Sequence, residues 1–72
     1  MSTPKQTALS GVESALGDAV SKISGIYEIC LIDANGDAAK EADCAVIRDR
    51  SLEHAKRAYE DMLAAVSAQF PL

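Results

Sequence analysis

Asn35-Gly36 is the feature that most constrains how this chain can fold, because both residues accept the positive φ angles that a tight two-residue reversal requires. The pair follows the apolar run Ile26-Tyr27-Glu28-Ile29-Cys30-Leu31-Ile32 and sits inside Asp33-Ala34-Asn35-Gly36-Asp37. A short run rich in β-branched and aromatic residues just ahead of Asn-Gly reads as the first strand of a β-hairpin. Its two faces are Ile26, Glu28, Cys30 and Ile32, and Tyr27, Ile29 and Leu31. Both are largely apolar, so the strand should be covered on one side by the chain's own helices and on the other by a second protomer. The return strand is weaker. Residues 38–43 hold alanine, lysine and glutamate, which prefer helix, so pairing should be best at Cys44-Ala45-Val46-Ile47.

Helices are expected on either side of this hairpin. Thr3 can cap a first helix with Pro4 at its first position, and Gln6 three residues on completes a capping box. Leu9, Val12, Leu16, Ala19 and Ile23 then recur at spacings of three and four and form its core face, with Val20 beside them. Gly11 and Gly17 weaken that helix, and Gly25 is placed to end it. Ser51 can cap a last helix whose face is Leu52, Ala55, Tyr59, Met62 and Val66, flanked by Leu63. Glu53 and Arg57 form a favourable i, i+4 pair on its exposed side. Pro71 marks its stop, with Phe70 folding back onto the core.

These elements predict an α+β fold, a small αββα domain spanning residues 1–72. The competing architecture is all helical. Val20, Ile23, Tyr27, Cys30 and Ala34 also have helical spacing, and thirteen alanines suit helices, so a helical hairpin or small bundle is the alternative.

A chain of 72 residues with 49% apolar content makes one thin core, since a domain of this size buries only about 60% of the surface its unfolded form exposes. Self-association would thicken it. No stretch approaches the roughly 20 apolar residues that span a bilayer, and Ser2-Thr3-Pro4-Lys5-Gln6 lacks the order of a signal peptide. The sequence therefore predicts a cytoplasmic protein without membrane contact, with Cys30 and Cys44 as reduced thiols packed like small apolar residues.

The net charge of −4 is localised. Glu28, Asp33, Asp37, Glu41 and Asp43 face Lys40 alone, while charges in the two flanks balance. A concentrated acidic field repels phosphates, favours a basic protein surface and speeds association in a salt-dependent way. Arg48, Arg50, Lys56 and Arg57 are interleaved with Asp49, Glu53, Glu60 and Asp61, which leaves no basic stripe for nucleic acid.

No chemical constellation assembles from the remaining residues. Asp33-x-Asn35-x-Asp37 begins like a calcium loop, but Ala38 stands where that loop needs glycine and Cys44 where it needs a bidentate glutamate. Cys30, Cys44 and His54 are too few and wrongly spaced for zinc. Cys44 with His54 and Asp43 or Asp49 lacks the electropositive setting that a nucleophilic thiolate needs. No cofactor, metal or catalytic residue is expected.

The reading that remains is a small, non-enzymatic interaction module that binds and modulates or inhibits a larger partner with a basic surface, itself a homodimer. Glu28, Asp33, Asp37, Glu41 and Asp43 would set partner choice, and Ile26, Ile29, Leu31 and Val46 would support assembly. The alternatives are a self-assembling structural subunit, or an enzyme or ligand binder completing its site between protomers.

Overall fold

The computed structural model describes residues 3–71. The chain forms two long antiparallel helices, α1 (Pro4–Ala34) and α2 (Ala38–Gln69), and the described residues contain no strand. The αββα expectation is therefore overturned, and the all-helical hairpin is the fold.

The start of α1 is fixed as its sequence demands. Thr3 Oγ1 accepts a hydrogen bond from the Gln6 backbone N–H at 3.2 Å, and the Thr3 N–H donates to Gln6 Oε1 at 3.0 Å. The helix then runs through Gly25, where nothing lies within 4 Å of an added Cβ, and through the whole of residues 26–32. A β-branched run is only a weak strand signal, and tertiary packing overrides it when its helical neighbours continue the same face. Here Ile23, Tyr27, Cys30 and Ala34 extend the stripe that begins at Leu9 and Val12.

Asn35-Gly36 does reverse the chain, but between helices. Asn35 is the left-handed C-cap of α1 at φ 48°, its N–H donating to the Ile32 carbonyl at 3.1 Å, and Gly36 comes next at φ 83°. Positive φ at successive residues suits a β-hairpin turn, and it equally suits the exit from a helix. The residues after Gly36 decide between the two. Asp37 caps α2, its Oδ1 accepting from the N–H groups of Ala39 at 3.0 Å and Lys40 at 3.1 Å. The strong helix formers of residues 38–42 then propagate α2 at once. Ser51 lies inside α2 and caps nothing. At the far end Phe70 is the C-cap, half-buried, with its N–H bonded to the Val66 carbonyl.

Cys30 and Cys44 are joined in a disulfide across the hairpin, which corrects the expectation of two free thiols. Each lies on the inner face of its helix at the same level, so the antiparallel packing that aligns Ala34 with the start of α2 also brings the two sulfurs together. One turn further from the loop, the Arg48 guanidinium stacks over the Tyr27 ring at 4.5 Å from its centre and bonds Asp49 at 3.0 Å. The stack adds a second tie between the helices at this end.

The core is one seam. Val12, Ala34, Cys44 and Val66 are the only buried residues among those described, and Leu9, Leu16, Ile23, Leu52, Ala55, Tyr59, Met62 and Leu63 are half-buried along it. The molecule is a flat rod of 52 × 21 × 9 Å with a radius of gyration of 16.5 Å, against about 11 Å for a compact chain of this length. Its accessible surface is 5464 Å², roughly 1,200 Å² more than the ~4,300 Å² expected of a compact 7.6 kDa monomer. No helix among the described residues is long and apolar enough to cross a membrane.

The disulfide closes a loop of 14 residues' separation, and constraining a loop of this length stabilises a fold by about 3 kcal/mol in the chain-entropy account. Reduction should lower the unfolding free energy by about that amount, read from urea titrations with and without dithiothreitol. Equal midpoints in the two titrations would show that the helical seam stands without the bond.

Candidate interaction surface

The surface that distinguishes this hairpin lies in its half nearest the loop. Ile26, Ile29 and Ile32 on α1 and Val46 and Ile47 on α2 are between 47% and 75% exposed. The stripe facing the seam is already filled at this level by Ile23, Tyr27, Cys30 and Cys44, so the additional apolar residues have no position left inside a two-helix molecule. They are of the type that a third or fourth helix covers.

Two shallow depressions shape one side of this region. The first encloses about 90 Å³ between the helices and is lined by Ile23, Ile26, Tyr27, Cys30, Cys44, Ile47, Arg48 and Ser51, with an almost wholly apolar wall. The second adjoins it on the loop side, where Asp33, Lys40 and Asp43 surround the disulfide and Ala34. The cystine forms the shared floor of both, so the bond that ties the helices also fixes the spacing of the groove walls.

The residues expected to carry assembly are placed unevenly. Ile26 and Ile29 are 61% exposed and Val46 is 47% exposed, whereas Leu31 is half-buried beside the seam. Ile47, exposed to 55%, shares a groove with Ile26, while Ile32, exposed to 75%, lies about a third of a turn round α1 from Ile26. They were legible as solvent-facing only once residues 26–47 were known to be helical.

The five acids do not form one patch on a β-hairpin, since the described residues contain no such hairpin. All five are exposed. Asp33 and Asp43 come together beside the cystine, while Glu28 lies two residues beyond Ile26 and so on the far side of α1. Glu41 occupies the first turn of α2, where a negative charge complements the helix N-terminus. Asp37 has a structural role as the cap. Among the described residues no group of three or more His, Cys, Asp and Glu side chains converges as metal ligands would. Cys44 is oxidised, and its sulfur is bonded to Cys30 rather than facing His54, which is exposed.

No known family model, curated protein or solved structure matches the chain.

The two roles open to Asp37 are separable by substitution. Asp37→Asn keeps a capping side chain and should change stability little, while Asp37→Ala should lose about 1 kcal/mol in urea unfolding. Equal losses in the two variants would show that the charge, rather than the cap, is what the position supplies.

Proposed function

We propose that this chain is a non-enzymatic protein–protein interaction module that docks through the apolar, acid-bordered half of its hairpin nearest the loop. The observation that supports this most directly is the exposure of Ile26, Ile29, Ile32, Val46 and Ile47 around the half of the hairpin nearest the loop, in a molecule that buries four of its described residues. Exposed branched aliphatic side chains of this number and proximity mark a surface that another protein covers. A rigid helix pair presenting anchors at helical spacing docks by inserting them into a groove or by adding its layer to another helical layer. The exposed acids of this half, Asp33 and Asp43 beside the groove together with Glu28 and Glu41, favour a partner with basic surface near its binding groove and speed the encounter. Modulation or inhibition of that partner comes from occupying its surface.

The disulfide bears on where the module works. Bonds of this kind persist in oxidising compartments and are reduced in the cytosol. The Cys30–Cys44 cystine therefore favours an oxidising compartment over the cytoplasm expected from the sequence. A role in the cytoplasm would require the hairpin to hold without it.

The test uses the oxidised protein immobilised and exposed to extract of its source cells at low salt, with bound material eluted by rising salt. The expected result is a stoichiometric partner with a basic surface. Its affinity should fall at least about tenfold for Ile32→Lys, as for loss of an apolar anchor. The salt dependence should flatten for the Glu28→Gln/Glu41→Gln variant, with helix content unchanged in both. Capture indifferent to Ile32 and to both glutamates would refute this surface as the docking site.

A further inference from the structure

We propose that one occupant of this surface is a second copy of the chain, stacked antiparallel across a two-fold axis so that Asp33 and Asp43 of each copy meet Lys22 and Arg50 of the other. The inference rests on the interaction-module reading and names one of its partners.

The spacing of four side chains on α1 carries the first step. Lys22, Ile26, Ile29 and Asp33 succeed one another at intervals of four, three and four residues, which places them in one stripe covering about 60° of the helix surface. Asp43, Ile47 and Arg50 on α2 are spaced at four and three and form a matching stripe. The two stripes face the same way, because Ile26 and Ile47 line one groove and Asp33 and Asp43 line the adjoining one. Along the hairpin this face is therefore ordered as Asp33 and Asp43 with Lys40 beside them near the loop, a net negative end, isoleucines in the middle, and the bases Lys22 and Arg50 beyond them.

Such an order is self-complementary when reversed. An in-plane two-fold axis sets α1 antiparallel on α1 and α2 antiparallel on α2, bringing each acid pair over the other copy's base pair with isoleucines between. The axis must pass midway between Lys22 and Asp33, at Tyr27 and Glu28, and also midway between Asp43 and Arg50, at Val46 and Ile47. These two levels coincide. The Cys30–Cys44 bond places the helices in register, and Tyr27–Glu28 lie two to three residues before Cys30, as Val46–Ile47 lie two to three after Cys44. The stack of Arg48 on Tyr27 reports the same alignment. A single axis thus satisfies both stripes. The parallel arrangement would set acid pair on acid pair, which is repulsive, so charge selects the antiparallel one.

Area agrees. The roughly 1,200 Å² by which the hairpin's surface exceeds that of a compact chain is more than the ~800 Å² that each member contributes to a standard interface. Stacking also turns a 9 Å layer into the two packed layers that a helical domain ordinarily has. The isologous contact leaves Ile32 and Glu28 outside it, free for a different partner.

Sedimentation equilibrium of the oxidised protein at low salt, over about 1–200 µM, tests this directly. The expected result is a dimer whose Kd rises at least tenfold for Ile26→Lys/Ile47→Lys and increases with salt. A charge-swap pair guards against variants that merely misfold. Asp33→Lys/Asp43→Lys and Lys22→Asp/Arg50→Asp should each be monomeric alone, with helical circular dichroism intact, and should form a one-to-one complex when mixed. A wild-type monomer throughout the range overturns the proposal, as does a dimer indifferent to these substitutions. Either result leaves the module reading to its own test, since Ile32 and Glu28 are untouched by these variants.

Discussion

Two helices in contact along one seam hold each other weakly, and the covalent link between Cys30 and Cys44 is what the rest of this molecule depends on. Most helical stability in proteins comes from burying an apolar face rather than from helix propensity. Here that face is covered by one neighbour only, and four of the described residues are buried. The disulfide acts where such a structure is most exposed to loss, by removing conformations from the unfolded chain in which α1 and α2 drift apart. It also sets the register on which every cross-helix relationship depends: Arg48 over Tyr27, Ile26 beside Ile47, Asp33 beside Asp43. Local capping contributes at the ends, through Thr3 with Gln6 and through Asp37, and leaves the middle of the rod to packing.

That economy of burial is informative about function. A chain that places isoleucines at 26, 29, 32 and 47 on solvent-facing helix positions incurs an aggregation hazard unless those positions are covered. Polar residues would have served an isolated hairpin better. In the proposed reading, the acids near the apolar residues would select the sign of what approaches. Lys22 and Arg50 give one face the opposite sign at a fixed distance, so a surface of this kind would discriminate by pattern as well as by total charge.

The sequence made the punctuation legible and obscured what it separates. Thr3, Pro4 and Gln6 announce a helix start that the structure reproduces atom by atom, and Asn35-Gly36 announces a reversal at the position where one occurs. The nature of the flanking elements was ambiguous for a physical reason. Residues 26–32 are apolar nearly all round, so neither a period of two nor one of 3.6 stands out within seven positions. The decisive signal lay across the Ile26 boundary, in the unbroken spacing of Ile23, Tyr27, Cys30 and Ala34, together with the helix-forming residues directly after Asp37. The disulfide left a trace as well. Cys30 and Cys44 are equidistant from Asp37, as two residues must be to meet across a hairpin that turns there, but the pairing only makes sense once both arms are helical. Which acids cluster was equally hidden, because an alternating strand and a helix distribute Glu28, Asp33, Glu41 and Asp43 over different faces.

Because the cystine brackets the exposed turn, the most accessible backbone in the middle of the chain is also the segment whose integrity matters least to the particle. A protease that cuts between Asn35 and Gly36 severs the polypeptide without separating its halves, since α1 and α2 stay covalently joined within about two turns of the cut. The nicked species would migrate as a single body until a reductant reached it. Breakage of the chain and dismantling of the molecule are thus two distinct events, and the second waits on the chemistry of the surroundings.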